Sequence, residues 1–326
     1  MPPRRFAAFF RMIAGTDAAA ARPFTQTAGR DYMRELTAVA AEKDAGRKVK
    51  YFVRGDMGVS FGQFNALKAR SGLLVNGVPV HANHILRPGD AVTALLEDTA
   101  SKAVEPEEGP VDVVYEDEDL LIIDKPAPLA TQCSPKQPCG TLENRLAWRY
   151  RDRAGFTFRP LNRLDRGTSG LMAAAMNAHA AQRLQRQLHT DSFVREYLAV
   201  VEGRMAGEGV VDAPIAKAAA ATVRRVIDVE SGKPAVTHYR VEKTGESRSL
   251  VRLRLETGRT HQIRVHLAHL GHPVVGDFLY GAEDLRLPGR FALHSTCIRL
   301  LHPVTGEIVE RTSPLPQALA ALMEEP

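Results

Sequence analysis

The chain has 326 residues, 44% of them apolar and 25% charged, with three cysteines and a formal net charge of +5. That length suits a catalytic domain with an appendage and supports a sizeable core. Cys133, Cys139 and Cys297 are too scattered for a disulfide framework or a zinc site, and no apolar run approaches the roughly 20 residues of a membrane span. The charge excess sits in residues 1–50, which hold ten basic and five acidic residues. The remainder is neutral, so any argument for nucleic-acid binding must rest on where particular arginines sit.

Residues 1–47 are rich in Ala, Arg and Thr and read as a disordered leader. Phe6, Phe9, Phe10 and Ile13 fall at i, i+3, i+4, i+7 among arginines, so an organelle-targeting helix is the alternative. Residues 50–97 read as a small module. Phe61–Ala69 predicts a helix, and Leu73–Val80 predicts a hairpin on an Asn-Gly turn. Arg87-Pro88-Gly89-Asp90 predicts a turn before a strand at Ala91–Leu96. Residues 98–110 are acidic and carry two prolines, a linker composition.

A larger domain is expected over 111–326. Its predicted strands are Val111–Tyr115, Leu120–Asp124, Val194–Glu202, Ala235–Glu242 and Leu250–Glu256, and its predicted helices are Thr141–Tyr150 and Ala178–Leu188. The two element types interleave without a βαβ rhythm, which points to an α+β fold. The segment `TGRTHQIRVHLAHLGHP` predicts a helix. Thr260 would be its N-cap, Ile263, Leu267 and Leu270 its apolar stripe, and Gly271 its stop.

Asp165 lies in `NRLDRGTSGLM`, at a turn between two apolar segments. Taken alone, such an acid is more often a turn or capping residue than a catalyst. Its neighbours change the balance: Arg163 and Arg166 flank it, and Thr168 and two glycines let a backbone approach closely. An acid beside arginines, on a loop open to a polyanion, suits a nucleophile or base. Arg259 and Arg264 stand near a helix N-terminus, where the dipole disfavours cations. They call for an anionic partner, either Asp165 or a phosphate. Tyr197 in a strand reads as half-buried core, or as a platform for an extruded base. His261, His266, His269 and His272 invite a metal reading but bring no acid within the helix. Arg224 and Arg225 read equally as a backbone grip or a solvated tip.

In sequence order these segments resemble the RluA family of pseudouridine synthases. `NRLDRGTSGLM` looks like its HRLDxxTSGLL signature, `REYLAVVEG` like its KxYxAxVxG strand, and `TGRTHQIRVHLAHLGHPVVGDFLYG` like its longest block. `VVYEDEDLLIIDKPAPL`, `ALHSTCIRLLHPVTGE` and a terminal `PLP` extend the likeness over residues 111–316. Asn162 stands where that family usually has His, and Arg195 where it usually has Lys. Residues 50–97 resemble, more loosely, an S4 RNA-binding domain.

The resemblance implies a mixed, mostly antiparallel sheet with flanking helices, and isomerisation of uridine in rRNA or tRNA. It implies a cytoplasmic monomer that needs neither metal nor organic cofactor. Asp165 would be the catalytic aspartate, with Arg264 paired to it and Tyr197 on the base. Arg163 would fill the gap left by the flipped base, and Leu293 would pack under the uracil. Arg166, Thr168, Arg259, His261 and Gln262 would complete the RNA contacts. Extruding a base costs roughly a few kcal/mol, part of which an inserted arginine can offset. An RNA binder with a decayed site and a histidine-based metal hydrolase are the competing readings.

Overall fold

A computed structural model describes residues 33–98, 104–153, 155–188, 190–219 and 222–324. The Phe6–Ile13 stripe lies outside them.

The N-terminal module is a four-stranded antiparallel sheet in the order β1-β4-β2-β3. Its strands are β1 (Met33–Val39), β2 (Leu73–Val75), β3 (Val78–Pro79) and β4 (Ala91–Glu97). Two helices, α1 (Val49–Gly55) and α2 (Phe61–Ala69), cover one face. Phe52, Val53, Phe64, Leu67, Leu73, Val92 and Leu96 form its own core. The Asn-Gly turn is present, with both Asn76 and Gly77 at positive φ (51° and 78°), as a two-residue hairpin requires. Ser60 caps α2 in a reciprocal box with Gln63, as its sequence allows.

The leader expected over residues 1–47 is ordered from residue 33 on, because β1 falls inside that stretch and pairs along its whole length with β4. Its alternation is faint: Leu36 is the one large apolar side chain on the inward face, beside Ala38 and Ala40. The acidic linker is also less free than its composition suggests. Residues 104–110 lie along α3 (Leu142–Arg149). Asn144 Nδ2 donates to Glu105 O at 2.9 Å, and Glu107 accepts from the Gly140 N–H at 2.7 Å. A carboxylate at that point satisfies a backbone donor just ahead of a helix N-terminus.

The large domain is built on ten strands. They are β5 (Asp112–Glu116), β6 (Leu120–Lys125), β7 (Arg159–Pro160), β8 (Ser169–Ala175), β9 (Val194–Glu202), β10 (Glu208–Asp212), β13 (Val236–Thr244), β14 (Arg248–Leu255), β15 (Leu293–Leu301) and β16 (Ile308–Thr312). A separate ribbon joins β11 (Ile215–Lys217) to β12 (Arg225–Ile227). The main order is β10-β13-β14-β9-β15-β8-β6-β5, with β16 on β15 and β7 on β8. This is the mixed, mostly antiparallel α+β sheet that was expected.

Both faces of the central strands are buried. Leu121 and Ile123 of β6 face a core shared with α3 and with α5 (Gln262–His269). Leu120 and Ile122 face the other core, with α4 (Ala178–Gln185). Central strands buried on both sides read as continuous apolar runs rather than alternating ones, which `LLII` and `GLMAAA` display.

One pairing breaks the antiparallel rule. The start of β15 runs parallel to the start of β8, with His294 opposite Ser169 and Ser295 opposite Gly170. The backbones meet so closely there that a Cβ on Gly170 would lie 2.3 Å from Ser295 O, at φ +106°. Neither the space nor the conformation suits another residue. Gly170→Ala is expected to destabilise the protein by about 3 kcal/mol or more. Urea unfolding measures this, and a loss below 1 kcal/mol, within about the scatter of ordinary substitutions, would contradict the geometry.

Candidate active site

The parallel seam places the loop before β8 beside the start of β15 and the middle of β9. A cleft of about 1180 Å³ opens there. Asn162, Arg163, Asp165, Arg166 and Thr168 line it from the loop, Tyr197 and Arg195 from β9, Leu293 from β15, and Arg259, His261, Gln262, Ile263 and Arg264 from around α5. Every site residue expected from the sequence therefore lines one cavity.

The Asp165 loop is held by backbone-directed bonds. The Thr168 N–H donates to Asp165 O at 3.0 Å and closes the turn, and Leu129 N donates to Arg166 O at 2.9 Å. The Thr131 hydroxyl donates to Leu164 O at 2.7 Å. Gly167 rests on Phe291, where a Cβ would lie 2.6 Å from the ring. Beneath the loop is Lys125, fully buried, whose Nζ donates to Pro126 O (2.9 Å) and Leu129 O (2.7 Å). Burial lowers its pKa to about 7, although the Asp165 charge pulls the other way. No local signal marks this lysine, which ends an apolar strand.

Arg264 is the centre of the site. Its side chain is 3% exposed. Nε and Nη2 donate to the two Asp277 oxygens at 2.6 and 2.7 Å, a bidentate fork. The remaining nitrogen, Nη1, donates to Asp165 Oδ2 at 2.9 Å. The guanidinium carbon stands 4.1 Å from the Phe291 ring centroid and 5.1 Å from that of Tyr280. Burial alone would lower the arginine's pKa, but Asp277 and Asp165 more than offset that and raise it. The Asp165 side chain, in contrast, remains 27% exposed, open to the cleft. Nothing in the local sequence marks Asp277. Its role was hidden because it lies past the helix stop, across a loop.

His261 sits at φ +59° and is itself the N-cap of α5, without a side-chain capping bond. The predicted cap at Thr260 is therefore wrong by one residue. Gln262 braces the approach to the helix: its Oε1 accepts from Arg259 N and Thr257 Oγ1, both at 2.9 Å. Its Nε2 donates to Val236 O and Thr237 Oγ1. His261 Nε2 is 3.8 Å from Asp165, and burial lowers the histidine's pKa, so it faces the aspartate as a neutral ring at neutral pH. Its Nδ1 is 2.9 Å from the Tyr280 hydroxyl. That hydroxyl accepts from Arg225 N at 2.8 Å, and the Arg224 guanidinium stands over the Tyr280 ring. The β11–β12 ribbon thus rests on the site.

Tyr197 is buried, and burial raises its pKa. The two unusual residues also line the cleft. Asn162 Oδ1 accepts from Ala173 N at 3.0 Å, and Arg195 is buried with its guanidinium over Phe193. Arg163 and Arg166 are exposed at the rim. Arg259 Nε donates to Pro234 O at 2.9 Å.

The histidine cluster does not converge. His266 uses one ring nitrogen on Thr237 and the other on Ala213 O, and His272 uses Nδ1 on Glu202 O.

Two outcomes follow from these charges. Asp277→Ala strands a buried guanidinium, and the expected loss of stability is about 3–5 kcal/mol; a melting temperature close to that of the parent would oppose this. Lys125 is neutral in the fold above pH 7 but protonated in the unfolded chain up to its ordinary pKa of 10.5. The unfolded state binds more protons in that window, so stability rises with pH there. The penalty is complete below about pH 7. Urea unfolding from pH 6.5 to about 9.5 should therefore show the native protein gaining on Lys125→Met as pH rises. Parallel curves would rule out a depressed lysine.

Comparison with known proteins identifies the family. Residues 119–269 match the family model described as RNA pseudouridylate synthase. The ribosomal large subunit pseudouridine synthase D of Vibrio vulnificus is 36% identical over 317 residues, 89% of this chain and 94% of that protein. Its namesake in Haemophilus influenzae is 40% identical over 254 residues, 72% of this chain and 76% of that protein. Among solved structures, human RNA pseudouridylate synthase domain containing 1 superposes with a TM-score of 0.51 at 30% identity, covering 64% of this chain and 86% of that one. The family match spans the Asp165 loop, β9 and α5, and the chain belongs to the RluA family of pseudouridine synthases, isomerases that act on RNA.

Proposed function

We propose that this isomerase acts on uridines of large-subunit ribosomal RNA, with Asp165 as its catalytic group. The carrying observation is that Asp165 keeps an open face to the cleft while Arg264, fixed from behind by Asp277, holds one of its oxygens. An anchored but accessible carboxylate is what a group that must meet a ribose requires. The relatives named for the large ribosomal subunit, matched over most of their length, support the choice of RNA.

In this reading the target uridine leaves its stack and enters the cleft. Arg163, exposed at the rim, occupies the gap it leaves. Asp165 acts on the ribose and the N1–C1′ bond breaks. The uracil turns in place between Tyr197 and Leu293, and C5 bonds to C1′. C5 then gives up its proton and N1 gains one, so substrate and product are isomers and no co-reactant is consumed. Tyr197 contacts the base and assists at C5. Burial raises its pKa, so its hydroxyl stays a neutral phenol and relays the proton, handing on its own as it takes the one from C5. Arg166, Thr168, Arg259, His261 and Gln262 shape the pocket wall.

All of these residues belong to one chain, so a monomer is sufficient. Among the described residues no helix is long and apolar enough to cross a membrane, and a cytoplasmic enzyme acting on ribosomal RNA fits that. The N-terminal module, S4-like in its hairpin and turn, is the second RNA grip.

Asp165→Asn keeps the shape and the Arg264 contact but loses the charge. Single-turnover isomerisation is expected to fall by about 10 000-fold or more while RNA still binds. Sequencing after carbodiimide labelling reads the product and a filter assay reads the complex; retained turnover would remove Asp165 from the chemistry.

A further inference from the structure

We infer that the N-terminal module is docked on the catalytic domain by two reciprocal ion pairs, and that this fixed placement decides which uridine of a bound RNA reaches Asp165. The second half of the statement rests on the module binding RNA, as proposed above.

The two pairs sit at the same end of the same strand pair. Met33 of β1 lies opposite Glu97 of β4, so Arg34 and Asp98 leave the module side by side. Arg34 reaches into the catalytic domain: Nε and Nη2 donate to the two oxygens of Asp119 at 3.0 and 2.7 Å, and Nη1 lies 2.6 Å from Glu118. Asp98 points to the domain as well and accepts from Arg159 Nη2 at 2.9 Å. A cation of the module meets an acid of the domain, and an acid of the module meets a cation of the domain. Sliding or rotating the module would bring like charges together, so the arrangement selects one register.

The socket for Arg34 is built rather than incidental. The Asp119 side chain is 3% exposed. Its Oδ1 also accepts from Asn177 Nδ2 at 2.8 Å, and Asn177 Oδ1 caps α4 through Ala180 N. A carboxylate this buried needs a charged partner, and the partner comes from the module. Asp117, Asp119 and His302 come close enough to suggest a cation site, but their oxygens are already engaged. Asp117 accepts from Tyr115, from two backbone N–H groups and sits 3.0 Å from His302 Nε2. The cluster is a hydrogen-bonded socket.

The second pair leads to the active site. Arg159 is in β7, and the chain runs from there through Leu161 and Asn162 into the Asp165 loop. Both Asp98 and Arg159 are largely buried, and burial raises the pKa of the one and lowers that of the other. A third contact backs them: Gly58 presses on Arg183 of α4, where a Cβ would lie 2.7 Å from Nη1. An RNA held by the module is therefore presented at a set distance from the cleft, whereas a tethered module would sample many.

The experiment uses the whole chain with nitroxides on the exposed native Cys139 and on Lys68→Cys in α2, in a Cys133→Ser background. Double electron–electron resonance without RNA should give one narrow distance distribution. Arg34→Gln with Asp98→Asn, which keep size and polarity, should broaden it. A broad distribution in the parent, or an unchanged one in the variant, overturns the docking. Each neutralisation is also measured alone, so that a fault in folding at one pair is told from undocking by the other.

Single-turnover mapping on ribosomal RNA then tests the placement. Preference for the target over other uridines should fall about tenfold in the double variant, with the rate on a short unstructured substrate unchanged. Undocking with no change in site choice overturns the ruler. Deleting residues 33–97 separates the two ideas: if RNA affinity is unaffected, the module's RNA-binding role fails, while the resonance result on docking stands.

Discussion

The fork between Arg264 and Asp277 is the constraint on which the site depends. Two buried charges need each other, since either alone in that environment would be costly. Asp277 takes two of the guanidinium nitrogens and leaves Nη1 pointing into the cleft. Asp165 is then the third member of a group that is already neutral. It is not needed to compensate a buried cation, and one bond holds it. An acid so placed can be oriented by the protein yet leave that bond to meet a ribose. Had Asp165 supplied the only counter-charge, moving it would expose a buried cation, and the chemistry would have to overcome that cost.

The fold supplies the rest of the geometry through the one parallel seam in an otherwise antiparallel sheet. At that seam β8 and β15 start side by side, so the loops that precede them meet. One carries Asp165, and the other carries Phe291 beneath the guanidinium. Gly170 permits the approach, and Lys125 ties Pro126 and Leu129 under the loop. The lysine is an ambivalent support. Its amine satisfies two carbonyls that would otherwise lack a donor, but its burial works against its charge. At neutral pH it stands near the point where it can serve as a neutral donor.

Much of the fold could be read locally because it is local. The Asn-Gly hairpin, the Ser60 cap and the run of β9 are decided within a few residues. β1 could not be read that way: its inward face offers Leu36 among alanines, and pairing with β4, more than 50 residues on, makes it a strand. The site divides along the same line. Asp165 and Arg264 could be matched because arginines near a helix N-terminus call for an anion. Asp277 and Lys125 could not, since neither carries a local mark and burial by distant strands gives each its role. Thr260 failed as a cap because the chain turns left-handed at His261, which makes that residue the N-cap, while Gln262 pins the approach by accepting from Arg259 N.

Charge distribution explains why the appendage matters. Beyond residue 50 the chain is neutral, and several of its arginines are already committed: Arg264 to two acids, Arg252 to Glu196 and Glu242, Arg159 to Asp98. Those cations cannot also neutralise phosphates without giving up a partner. Counterion release, the general source of affinity for nucleic acid, scales with the number of phosphates contacted. An enzyme whose body is neutral overall gains its hold from particular arginines, such as Arg163 and Arg166 exposed at the rim, and also by shape, by the extruded base and by a second surface. On the reading proposed above, the small module joined through buried ion pairs supplies that surface at a defined distance, and restricts the target because a substrate must satisfy both grips at once.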